Sequence, residues 1–111
     1  MKSKFEIMEI VSEDEYKNVI DNSNSDQLIV VMFYLTHCKY CKLIKPVFNK
    51  IVKNFNGDGK FFQINARKNY NLTKEYNISV VPTFLLIKNK KILKKLEGPN
   101  EEILGHAINN D

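Results

Sequence analysis

The chain has only two cysteines, Cys38 and Cys41, and one arginine, Arg67, and each shortage removes a class of protein. Two cysteines are too few for the disulfide framework of a small secreted domain. They are also too few for a four-thiolate metal site contained in one chain. A lone arginine among scattered lysines gives no basic stripe with interleaved aromatics, although the net charge is +4, so no nucleic-acid partner is expected. No stretch approaches the ~20 apolar residues of a membrane span. Met1 to Ile10 mixes Lys, Glu and apolar residues and lacks the apolar centre of a signal peptide. No repeat or linker divides the 111 residues, so one domain over 1–111 is expected, monomeric and in the reducing cytoplasm.

Hydrophobic residues make up 43% of the chain, enough for a core that needs no structural staple. Their spacing sets out the elements. Phe5 to Ile10 can form a first strand. Ser12-Glu13-Asp14-Glu15 has the pattern of a capping box that opens a helix to about Asn22, burying Tyr16, Val19 and Ile20. Leu28 to Leu35 is apolar without alternation, as expected of a parallel strand covered on both faces. After Cys38 the apolar residues Leu43, Ile44, Val47, Phe48, Ile51, Val52 and Phe55 recur at helical spacing, with Pro46 expected to kink the helix.

Lys60 to Ile64 reads as the next strand and Asn71 to Tyr76 as a short helix. Val80-Val81-Pro82 leads into a strand from Thr83 to Ile87. Lys88 to Lys91 is a hairpin turn that lacks glycine, and Ile92 to Leu96 pairs back. Gly98-Pro99-Asn100 opens a last helix with Ile103, Leu104, Ala107 and Ile108 on one face. The order β-α-β-α-β-α-β-β-α predicts an α/β fold, a mixed central sheet of about five strands flanked by four helices.

Chemistry concentrates at Cys38-Lys39-Tyr40-Cys41, where a strand hands over to a helix. The first sulfur there faces the positive end of the helix macrodipole, which favours thiolate over thiol. The second lies three residues on, on the same helical face, within reach to close a disulfide. Zinc sites share this spacing; the bland alternative is a pair of inert buried thiols, which have no reason to keep it at a helix start. His37 has three readings beside it: a charge switch near neutral pH, a metal ligand with the two cysteines, or an exposed ring.

Taken together, these residues resemble the thioredoxin family. Val31-Met32-Phe33-Tyr34 is similar to its central strand, Cys38-Lys39-Tyr40-Cys41-Lys42 to its active-site motif with the following lysine, and Pro46 to its mid-helix proline. Val81-Pro82-Thr83-Phe84 is similar to its cis-proline loop, and Gly98 to the glycine after its last strand. The resemblance spans about residues 5 to 109 and implies a thioredoxin fold. The sequence departs from the family pattern at four places. His37 replaces the usual tryptophan and Lys39-Tyr40 the usual Gly-Pro. The family's buried carboxylate, which assists thiol proton transfer, falls at Met32, and its lysine neighbour at Gln63.

The resemblance implies a thiol–disulfide oxidoreductase that reduces protein disulfides without a bound cofactor or metal. Cys38 would be the nucleophile and Cys41 the resolving thiol. Lys39, Lys42 and a protonated His37 would favour the Cys38 thiolate. A cis bond before Pro82 would let Val81 receive an extended substrate by strand addition, with Tyr40 and His37 flanking it. Electrons would come from a thioredoxin-reductase-type flavoprotein or glutathione. Two alternatives remain: a glutathione-dependent, glutaredoxin-like protein, suggested by Tyr40, and a non-catalytic metal- or partner-binding module using His37, Cys38 and Cys41.

Overall fold

The computed structural model of the chain describes residues 5–110. Nine elements follow in the order β1 (Ile7–Ile10), α1 (Glu13–Asp21), β2 (Leu28–Tyr34), α2 (Lys39–Lys53), β3 (Gly59–Asn65), α3 (Tyr70–Glu75), β4 (Thr83–Lys88), β5 (Lys91–Glu97) and α4 (Glu101–Asn109). The strands form one sheet of five in the order β1-β3-β2-β4-β5. β1 and β2 run parallel to β3, whereas β4 runs antiparallel to both β2 and β5. This is the mixed sheet that crossover helices followed by a terminal hairpin require.

The missing alternation in β2 has a direct cause: it is the central strand, and both its faces are covered. Val30 and Met32 point to one core with Phe48 of α2, Phe84 of β4 and Leu104 of α4. Ile29, Val31 and Phe33 point to the other, with Tyr16 of α1, Leu72 of α3 and Leu85 of β4. Phe48 and Phe84 meet edge to face, their ring centroids 5.1 Å apart.

Several expectations need adjustment. The first strand begins at Ile7 rather than Phe5. Ser12 caps α1, its Oγ accepting the Glu15 N–H at 3.1 Å, but the Glu15 carboxylate reaches back to the N–H of Val11 rather than of Ser12. Pro46 stands inside α2, where the sequence places it, on the exposed side of the helix. Leu43 and Ile103 do not join the core; they are 59% and 51% exposed. Each precedes a buried residue, Ile44 or Leu104, and one step along a helix turns about 100°, out of the buried stripe. Cys41, three residues before Ile44, takes the inward position instead.

Candidate functional site

Residues 35–37 carry the chain from the end of β2 to Cys38, which is the N-cap of α2. A capping residue keeps extended backbone and offers its side chain to the unpaired N–H groups of the first turn. Here the cap is sulfur: the Cys41 N–H donates to Cys38 Sγ at 3.1 Å, and the Lys42 N–H donates to the Cys38 carbonyl at 3.1 Å. A donor aimed at sulfur at a helix N-terminus stabilises negative charge there.

The two thiols differ in surroundings. Both are free, with Cys38 half-buried and Cys41 buried. Burial and a hydrogen bond with the Cys38 thiol push the Cys41 thiol up to about 12. An outer sulfur open to attack and an inner sulfur kept protonated is the division of labour that a two-step thiol exchange needs.

The Val81–Pro82 peptide bond is cis, and the Val81 carbonyl oxygen lies 3.8 Å from Cys38 Sγ, which donates to it. This loop is tied down from two sides. The Gly98 N–H donates to the Pro82 carbonyl at 2.8 Å, and Thr83 Oγ1 donates to the Val80 carbonyl at 2.6 Å. Gly98 has φ +94, a conformation that side chains rarely adopt, so glycine is what lets β5 end with its N–H aimed at the loop.

His37, Lys39, Tyr40 and Lys42 are all exposed around the cysteines, Tyr40 together with the solvent-facing Leu43 forming an apolar rim. His37 opens a groove of about 570 Å³ that passes Leu35, Arg67, Lys68, Ile78 and Val81. The loop supplying Arg67 and Lys68 is held by Asn65, whose Oδ1 accepts both their backbone N–H groups at 3.0 and 3.1 Å. Among the described residues no three His, Cys, Asp or Glu side chains gather as a metal site, so His37 does not converge with the cysteines as ligands.

A second cavity, of about 510 Å³, lies behind the inner thiol. Met32, Tyr34, Thr36, Cys41, Lys45 and Gln63 line it. Lys45 Nζ donates to Gln63 Oε1. Gln63 Nε2 donates to Glu9 Oε1 at 2.7 Å, and the Tyr34 hydroxyl donates to Glu9 Oε2 at 2.8 Å. Burial lowers the Lys45 ammonium pKa, the Glu9 carboxylate opposing in part. Burial and the bond to Glu9 push the Tyr34 phenol up to about 12. Sequence reasoning missed Lys45 and Glu9. The available signal was that Lys45 stands four residues after Cys41, on the same helical face.

The family model described as Thioredoxin matches residues 7–110. Thioredoxin of Oryctolagus cuniculus is 30% identical over 103 residues, covering 93% of this chain and 96% of that protein. Peptide-N(4)-(N-acetyl-beta-glucosaminyl)asparagine amidase of Caenorhabditis elegans is 28% identical over 102 residues. That match covers 92% of this chain, which spans 17% of the amidase's length. The crystal structure of Malassezia sympodialis thioredoxin superposes with a TM-score of 0.88 at 28% identity, covering 99% of this chain and 94% of that one.

Proposed function

This chain belongs to the thioredoxin family, and from that premise we propose that it reduces protein disulfides with the Cys38–Cys41 dithiol. The observation that supports this most strongly is the pairing of a half-buried Cys38 Sγ, which accepts the Cys41 N–H, with a buried Cys41 one helical turn inward. Cys38 attacks a substrate sulfur and expels the first thiolate, giving a mixed disulfide. Cys41 then attacks Cys38 Sγ, the Cys38–substrate bond breaks, and the second substrate thiol leaves reduced while Cys38–Cys41 closes.

The substrate lies extended along the loop of Val81 and Pro82, bonding to the Val81 backbone. Tyr40 and His37 flank it, and Lys39 and Lys42 add positive charge at the mouth of the site. No cofactor takes part. Residues 1–111 act as one monomeric domain in the reducing cytoplasm. A thioredoxin-reductase-type flavoprotein or glutathione returns the electrons. Among the described residues no helix is long and apolar enough to cross a membrane.

The test is turnover of a protein disulfide with dithiothreitol as electron source. Cys38→Ser is expected to abolish it, and Cys41→Ser to accumulate a mixed disulfide on Cys38. Equal turnover by the wild type and Cys38→Ser rules the reading out.

A further inference from the structure

One row of paired residues crosses the sheet behind Cys41. Glu9 pairs with Gln63, Gln63 with Met32, Met32 with Phe84, and Phe84 with Leu96. The row is apolar from its centre to one edge and polar at the other. Its central member, Met32, is 1% exposed and supplies no group able to accept a proton. Yet the resolving step needs one. Burial, which remains when Cys38 is bonded to substrate, raises the Cys41 thiol and keeps it protonated near neutrality, and only the thiolate attacks.

Lys45 reaches this region from the helix above. It sits one turn beyond Cys41, and both side chains line the 510 Å³ cavity, which has room for water between polar groups. Its Nζ is held by Gln63, and Gln63 by Glu9. Resting on the dithiol reading above, we propose that Lys45 is the proton acceptor for Cys41 in the resolving step, working across the cavity the two share. The Cys41 S–H gives its proton, through a water in the cavity, to the neutral Lys45 amine. The Cys41 thiolate attacks Cys38 Sγ, the disulfide closes, and the Cys38–substrate bond breaks. The departing sulfur takes the electron pair of that bond and is protonated from Lys45 or solvent.

The charged and titratable groups around Lys45 set its readiness. Glu9 of β1 favours the ammonium, as a carboxylate should. Tyr34 of β2 stays neutral, and Lys42 of α2 lines the same cavity. Burial, the largest influence, also favours the amine. A lysine lowered below its ordinary value of 10.5 is neutral more often than a surface lysine at the same pH.

Single-turnover mixing with an aromatic disulfide that releases a coloured thiolate separates the two steps, because the first release reports attack by Cys38 and the second resolution by Cys41. Wild type, Lys45→Met and Lys45→Arg are compared from pH 6 to 10. Arginine keeps the charge and the length but does not accept a proton. First release is expected within twofold of wild type in both variants, and second release slowed at least tenfold at pH 7. The wild-type second rate is expected to rise with pH and level off below 10.5, where Lys45 has become neutral. The variants continue to rise through that point as hydroxide takes over. Second release at the wild-type rate in Lys45→Arg at pH 7 overturns the proposal, since charge alone then suffices. A wild type that gives no first release overturns the dithiol reading itself, and this inference with it.

Discussion

At the scale of single residues, Cys41 and Met32 belong to the same core and line the same cavity, and Met32 offers no group that can accept a proton. A carboxylate at Met32 would answer the proton problem directly but would stand where the side chain is 1% exposed. Met32→Asp is therefore expected to lower stability by about 2–3 kcal/mol, measured by urea unfolding, because a polar group loses water without a partner in place. The same substitution in a Lys45→Arg background is expected to restore the second thiol release, since the new carboxyl accepts the Cys41 proton. No restoration would mean that proton removal is not what limits that step. The two cysteines and Pro82 were legible in the sequence because each carries its motif within a few residues. Lys45 was not. Its meaning depends on the register that sets Glu9 beside Gln63 and on the cavity behind Cys41, and neither leaves a local signature.

At the scale of elements, the β4–β5 hairpin shows tertiary pairing overriding turn preference. Lys88 pairs with Lys91 across a two-residue loop, and Asn89 and Lys90 take φ 53 and 62. Two positive φ values suit the right-handed twist of the strands but disfavour a side chain such as lysine. Lys90→Gly is expected to stabilise the chain by about 0.5–1 kcal/mol in urea unfolding, relief of the left-handed conformation outweighing the added freedom of the unfolded chain. Phe48→Ala is expected to cost about 3–5 kcal/mol in the same measurement, as it empties the contact between α2 and Phe84. The order and type of all nine elements could be read from apolar spacing and turn residues. The misplaced side chains were Leu43 and Ile103, apolar residues beside a buried stripe. Spacing alone does not tell a residue inside a stripe from one a step outside it.

At the scale of the whole molecule, pH acts on several protonated groups at once. The fold holds the Cys41 thiol and the phenols of Tyr16, Tyr34 and Tyr76 in their neutral forms, in each case chiefly by burial. Tyr16 and Tyr76 share a hydroxyl hydrogen bond of 2.9 Å that joins α1 to the residue closing α3. All four are raised in the folded state. Their contribution is thus fully present below the ordinary values, 9.0 for the thiol and 10.0 for tyrosine, and is lost as pH climbs from there. Lys45 works in the opposite sense. Its folded value is lowered, so stability from this residue is gained as pH rises toward 10.5. Four groups against one set the net direction, and the melting temperature is expected to fall from about pH 9 upward. Tyr16→Phe removes the phenol with the strongest burial and is expected to make that decline shallower above pH 10. Near neutrality it should cost about 0.5–1.5 kcal/mol for the lost hydrogen bond. Thermal unfolding of both proteins from pH 7 to 11 checks this. Parallel curves would show that Tyr16 ionises as freely in the fold as in the unfolded chain, and that the tyrosine pair ties α1 to α3 without making the fold sensitive to alkali.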